Sequence, residues 1–150
     1  MSSTLNWGIL GPGKIAHKFA EDLQALPEAR VHAVASRSLE RARAFAERFE
    51  APFAFGNYED LLGCADLDVV YVATPHSEHF THTMMCLEAG VPVLCEKPLA
   101  IHAGQARRMV EKARTRGVFL MEGLWTRFNP AFEKALEVVG EGGLGTIHWV

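Results

Sequence analysis

A strand-like run from Leu5 to Leu10 passes directly into Gly11-Pro12-Gly13-Lys14-Ile15-Ala16 and then into a helical stretch, and this junction constrains the fold more than any other segment. An apolar run that turns sharply at glycine and resumes with a period of 3.6 is the opening of a βαβ unit. Lys14–Leu26 reads as the helix, stopped by Pro27, and Val31–Ser36 as the second strand. The first glycine permits the tight turn and the second lets the backbone approach a pyrophosphate. Ala16 keeps helix and strand close. The N–H groups and dipole of the helix start favour bound phosphate, so the junction reads as a dinucleotide-binding turn. The alternative is a bare structural turn.

The alternation continues along the chain. Ser38 is placed to cap a helix over Leu39–Phe49, whose apolar positions Leu39, Ala42, Ala46 and Phe49 recur at helical spacing. A short strand at Phe53–Phe55, a small helix at Tyr58–Leu62 and an apolar strand at Val69–Ala73 follow. Next come a helix over His76–Ala89 stopped by Gly90, a strand at Val91–Cys95, a helix over Ala103–Arg116 stopped by Gly117, and a strand at Val118–Met121. Strands alternating with helices predict an α/β fold, a doubly wound parallel sheet of Rossmann type, over residues 1–122. Asn129-Pro130 then opens a helix with an Ala131, Ala135, Val138 and Val139 stripe, broken by Glu141-Gly142-Gly143-Leu144-Gly145. Thr146–Val150 reads as the start of another strand. Residues 123–150 are therefore expected to be the connection to, and first elements of, a truncated C-terminal domain.

With 49% hydrophobic residues in 150, the chain can bury one sizeable core, and chains of this length bury roughly 70% of their extended surface. A net charge of -3 supplies no general field for nucleic acid or anionic membrane. The arginines at positions 41, 43, 107, 108 and 114 are interleaved with acids and spread over separate elements, which argues against DNA binding. No stretch matches a secretory leader or a spanning helix. Cys64, Cys86 and Cys95, odd in number and set in apolar or helical context, suit buried, reduced thiols and a cytoplasmic setting.

Chemistry is expected at the carboxyl ends of the strands. At the end of the second strand, where a carboxylate would hold the ribose of NAD, stand Ser36-Arg37-Ser38, with Arg41 one turn on. A guanidinium suits the 2′-phosphate of NADP, so NADP is the expected cofactor, with NAD as the alternative. Arg37 as a merely solvated loop charge is the competing reading. After the fourth strand, Thr74 and His79 should face the nicotinamide half of the cleft. His76, His79 and His82 recur every third residue, but that spacing drifts around a helix and completes no tetrahedral metal set, so no metal site is expected. Glu96-Lys97-Pro98 follows the fifth strand directly. Lys97 there can bind a substrate hydroxyl and help pass its proton as hydride leaves the neighbouring carbon. Glu96 can orient that lysine or the nicotinamide ribose, and Pro98 fixes the backbone, through a cis bond if one forms. The competing reading is a strand-end ion pair followed by a helix-opening proline.

The stretches Gly8–Ala16, Val72–Pro75 with His79, and Ala89–Pro98 resemble the glucose-fructose oxidoreductase, inositol dehydrogenase and MocA family, and the likeness covers nearly the whole chain. Met121–Pro130 and Arg37 resemble the branch of dimeric dihydrodiol dehydrogenases and NADP-linked D-xylose dehydrogenases. The resemblance implies a Rossmann domain joined to a C-terminal α+β domain with an open, mainly antiparallel sheet. It implies an NAD(P)-dependent oxidoreductase acting on a small sugar, polyol or dihydrodiol, with Lys97 catalytic. Gly11, Gly13, Lys14, Ile15, Ser36, Arg37, Thr74, His79, Glu96, Trp125 and Arg127 would lie around the cofactor or the cleft. The family's second acid-base residue and its dimerisation sheet would lie beyond position 150, so a homo-oligomer would form through that part. A non-catalytic nucleotide-binding or redox-sensing module is the alternative function.

Overall fold

The computed structural model describes residues 4–146 and 148. The strands are β1 (Leu5–Leu10), β2 (Ala29–Ala35), β3 (Phe53–Phe55), β4 (Val69–Val72), β5 (Val93–Glu96) and β6 (Leu120–Gly123). The helices are α1 (Lys14–Leu23), α2 (Leu39–Arg48), α3 (Glu59–Leu62), α4 (His79–Glu88), α5 (Ala103–Arg116) and α6 (Pro130–Gly140). All strand pairs are parallel, in the order β3-β2-β1-β4-β5-β6. The order reverses between β1 and β4, and a crevice opens there outside the strand ends.

Period-two alternation divides the core into two layers. Ile9, Val34 and Tyr71 face α1 and α2, packing with Ala16, Ala20, Ala42 and Phe45. Their neighbours Leu10, Ala33, Val70 and Val72 face the other way, onto Leu61, Cys86, Leu87 and Ala113. Cys86 and Cys95 are buried free thiols, whereas Cys64 is half-exposed, contrary to the expectation that all three are buried.

Several boundaries differ from those read in the sequence. The expected helix to Leu26 stops at Leu23, because the N–H groups of Ala25 and Leu26 donate to Asp22 and Leu23, three residues back. The α region is disfavoured just before Pro27. β2 begins earlier, since Ala29 and Arg30 pair with Leu5 and Asn6. The expected strands at Val91–Cys95 and Val118–Met121 each begin two residues later. Val91 N–H donates to Cys86, and Val118 N–H to Ala113, so both valines complete glycine-ended helix stops. The expected helix over His76–Ala89 is a 3₁₀ turn, His76–Glu78, followed by α4. A further 3₁₀ turn at Trp125–Phe128 was not expected.

At the amino ends of the strands, Asn6 joins three segments. Its backbone N–H donates to the Asp68 carboxylate at 2.8 Å, its side-chain amide N–H to the Asp66 carbonyl at 2.7 Å, and its Oδ1 accepts from Arg30 Nε at 2.7 Å. At the other extreme of the chain, α6 is capped by Asn129, which accepts from Ala131 N–H, and buries none of its residues. Phe132, Leu136 and Val139 are left 45%, 52% and 41% exposed. The strand expected at Thr146–Val150 falls largely on Ile147, Trp149 and Val150, outside the described residues.

Candidate active site

The turn after β1 explains its two glycines differently. Gly11 has φ +87, and a Cβ there would stand 3.0 Å from Thr74 Cγ2 and 3.1 Å from the Ala73 carbonyl oxygen. Its N–H donates to Ala35 at 3.0 Å, tying the turn to β2. Gly13 has extended backbone that any residue adopts, and a Cβ there would meet nothing within 4 Å. The fold requires Gly11, whereas the bareness of Gly13 serves only the space in front of it. No side chain caps α1, so its first-turn N–H groups remain for an anion. Gly11→Ala is expected to lower stability by about 1–3 kcal/mol, read as a lower thermal midpoint. Gly13→Ala should melt close to wild type but bind NADPH more weakly; equal midpoints for the two variants would refute the distinction.

That space is a cleft of about 780 Å³, bounded by Gly11, Gly13, Lys14 and Ile15 on one side, and by Ser36, Arg37, Arg41, Tyr58 and Thr74 on others. Three of its lining side chains are cationic and none is a carboxylate. Ser36 is buried, and its Oγ accepts from Ser38 N–H at 3.2 Å. Ser38 in turn caps α2 by accepting from Arg41 N–H at 3.3 Å. Arg41 Nη2 lies 3.5 Å from the Pro12 carbonyl, so a second guanidinium lines the cleft that exposed Arg37 also lines.

Ile15, Ala73 and Thr74 also line an adjoining hollow of about 190 Å³ that holds His79, Glu96 and Lys97. The Lys97–Pro98 peptide is cis. Glu96 Oε2 accepts from Lys97 N–H at 3.0 Å, and Oε1 accepts from the Tyr71 hydroxyl at 2.6 Å. Beyond the proline, Leu99 N–H donates to Glu122 at 2.7 Å. Lys97 is exposed and, among the described residues, its ammonium enters no ion pair. Pro98 opens no helix, since α5 begins at Ala103. The reading of Lys97 and Pro98 as a strand-end ion pair with a helix-opening proline therefore falls.

His79 is completely buried, with Nδ1 2.8 Å from the Pro98 carbonyl oxygen and Nε2 3.0 Å from that of Thr74. Each ring nitrogen faces a carbonyl oxygen, which only accepts, so whichever nitrogen carries the N–H ties His79 to the lysine turn or to the end of β4, and neither is left for a ligand. His76 is exposed, and His82 packs its ring on Tyr58 at 4.6 Å with Nδ1 2.9 Å from Thr74 Oγ1. Among the described residues no cluster of His, Cys, Asp or Glu is arranged to hold a metal ion. Trp125, 63% exposed, lines a separate apolar hollow of about 210 Å³ with Phe19, Tyr71 and Glu96. Arg127 is exposed and lines none of these three spaces. Glu96 thus lines both this hollow and the lysine hollow, Trp125 lines only the apolar one, and Arg127 lies apart from all three spaces.

Burial pushes the His82 imidazole below its ordinary value of 6.5, against the upward pull of Glu78 and Glu59 and with further lowering by His79 and Arg37. A folded state that resists this proton keeps the corresponding stability above the unfolded value, and loses it as pH falls from there through the folded value. The thermal midpoint is expected to drop as pH falls through the ordinary value of 6.5 and below, and to drop less in His82→Gln. Equal declines in the two proteins would remove His82 as the cause.

Sequence reading missed Tyr58, Tyr71 and Glu122. Tyr71 had a visible signal: a lone hydroxyl in a strand buried on both faces needs an acceptor from elsewhere. Chemically, the arrangement offers a cationic end and an N–H-rich turn in one cleft and, in the hollow adjoining it, an ammonium without an ion pair among the described residues.

The family model described as GFO_IDH_MocA, oxidoreductase family, NAD-binding Rossmann fold, matches residues 5–124. A trans-1,2-dihydrobenzene-1,2-diol dehydrogenase of Mus musculus is 47% identical over 145 residues, covering 95% of this chain and 44% of that protein. A D-xylose 1-dehydrogenase (NADP(+)) of Hypocrea jecorina is 42% identical over 156 residues, covering 96% and 40%. A solved 3-ketoreductase from Actinomadura kijaniata, in complex with TDP-benzene and NADP, is similar at TM-score 0.87 and 36% identity, over 93% of this chain and 44% of that one. The chain spans less than half the length of these relatives.

Proposed function

The chain belongs to the GFO_IDH_MocA oxidoreductase family, with its NAD-binding Rossmann fold, and on that premise we propose that it is the cofactor-binding part of an NADP-dependent dehydrogenase or reductase. Its substrate is a small sugar, polyol or dihydrodiol, in keeping with the names of its relatives. One observation carries the reading: the cationic cleft that Arg37 and Arg41 line and the hollow that Lys97 lines adjoin, sharing Ile15, Ala73 and Thr74 as a common wall.

The residues present suit the cofactor. Gly13 leaves room that a Cβ would occupy, the α1 terminus and Lys14 answer the pyrophosphate, and Arg37 with Arg41 answers a 2′-phosphate. NAD, which lacks that phosphate, finds no carboxylate at the end of β2 to take its ribose. When bound, the nicotinamide supplies or accepts the hydride. Ile15 and Thr74 flank the passage to the lysine hollow, and Lys97 binds the substrate oxygen there, handling its proton as the carbon changes oxidation state. Glu96 and His79 hold the lysine turn. A second acid-base group would come from outside this chain.

We further read residues 1–122 as the cofactor domain and 123–150 as the entry to a second, substrate-binding and dimerising domain. The bare apolar stripe of α6 supports this, although β6 runs to Gly123, one residue past that boundary. The free thiols suit a cytoplasmic setting. Among the described residues no helix is long and apolar enough to cross a membrane. The test is absorbance at 340 nm for the full-length protein with NADP⁺ and a panel of aldoses, polyols and dihydrodiols, beside a fluorescence titration with NADPH. Binding without turnover on any of them would favour the non-catalytic module; absence of both would end the proposal.

A further inference from the structure

Lys97 sits at the tip of a turn, and its useful position depends on what holds that turn. Three contacts do so: His79 on the Pro98 carbonyl, Glu122 on the Leu99 N–H, and the Glu96 carboxylate on the N–H of Lys97 itself. The third is the most direct and the least secure, because Glu96 is only half-buried and also lines the apolar hollow beside Phe19, Leu94 and Trp125. A carboxylate left loose at that boundary would swing toward water. What prevents this is the Tyr71 hydroxyl, 2.6 Å from Oε1. Tyr71 is itself immovable: it is 2% exposed in the central strand β4, and its ring stacks on Phe19 at 4.0 Å with 21° between planes.

We propose that Tyr71 is a positioning residue for Lys97, acting through the Glu96 carboxylate. The phenol donates to one carboxylate oxygen and the other oxygen receives the Lys97 N–H, so a fixed ring in the core sets the backbone that carries the reacting ammonium. Burial, and then the contact with Glu96, keep the phenol protonated and hence a permanent donor. The kinetic consequence rests on the oxidoreductase reading above; the structural link to Lys97 does not.

The test uses the full-length protein with Tyr71→Phe, which removes the hydroxyl and keeps the stacked ring. Turnover should fall about tenfold, the scale of one charge-assisted hydrogen bond, with NADPH affinity close to wild type and only a modest drop in thermal midpoint. In a Glu96→Ala background the same change should have no further effect on turnover. Undiminished loss in that background, or full turnover in the single variant, would overturn the proposal. Amide hydrogen exchange gives a readout independent of activity. The Lys97 N–H should exchange about tenfold faster in Tyr71→Phe while β5 amides stay unchanged. Unchanged Lys97 exchange would overturn the proposal. If wild type neither binds NADPH nor turns over, the oxidoreductase reading has failed, and the exchange result alone decides the role of Tyr71.

Discussion

Full-length protein carrying Lys97→Met is expected to turn over about 10²- to 10⁴-fold more slowly than wild type, the range that positioned proton transfer contributes. NADPH affinity should change little. The structure separates the two effects, because Lys97 lines the smaller hollow and is absent from the walls of the cationic cleft. Stability should be spared as well: the side chain is exposed and forms no ion pair among the described residues, so methionine removes the charge and no structural bond. Initial rates at 340 nm, NADPH titration and a thermal melt check the three parts together. Retained turnover would remove Lys97 from the chemistry. A matching loss of cofactor binding would place its role in binding instead.

The second large effect concerns the cationic cleft. Arg37→Asp is expected to weaken NADPH binding about 100-fold or more, since a charge-assisted contact worth roughly 1.5–3 kcal/mol is replaced by repulsion between carboxylate and phosphate. Binding of NADH should hold or improve, because a carboxylate at this position can accept from the ribose hydroxyls. Arg41, tethered near the Pro12 carbonyl, remains as a second cation, so some NADPH binding should survive. Parallel fluorescence titrations of both cofactors decide it. Tighter NADH than NADPH binding by wild type, or an unmoved NADPH affinity in the variant, would show Arg37 to be the solvated loop charge of the competing reading.

The alternation of apolar runs and helices was readable because each element is defined by neighbours in sequence. β1, β3 and α5 fall where their patterns place them. Val91 and Val118 misled for a physical reason: an apolar residue just after a stop glycine packs back on its own helix, and hydropathy alone cannot tell that from a strand start. At the candidate site, the gathering of Gly11, Gly13 and Arg37 around one cleft, with Lys97 in the adjoining hollow, was legible from their positions at strand ends. The brace formed by His79, Tyr71 and Glu122 was not, since each contact joins residues from separate elements. His79 lines the lysine hollow as the sequence leads one to expect, but its contacts with the Pro98 and Thr74 carbonyls join separate segments and have no local signal. Arg127 had only its resemblance to recommend it, and the exposed turn carries it clear of the cleft and the lysine hollow.

The Asn6 junction fastens β1 and β2 to the segment leading into β4 at the amino ends of the sheet, far along the strands from the turn glycines and the lysine. Fastening and chemistry therefore occupy opposite poles of the same domain. Exposed side chains at the carboxyl pole, Arg37 and Lys97 among them, can be exchanged without undoing the splice at the other. A lineage of such domains can vary its mouth by local trial, except at Gly11, where the backbone itself is at stake.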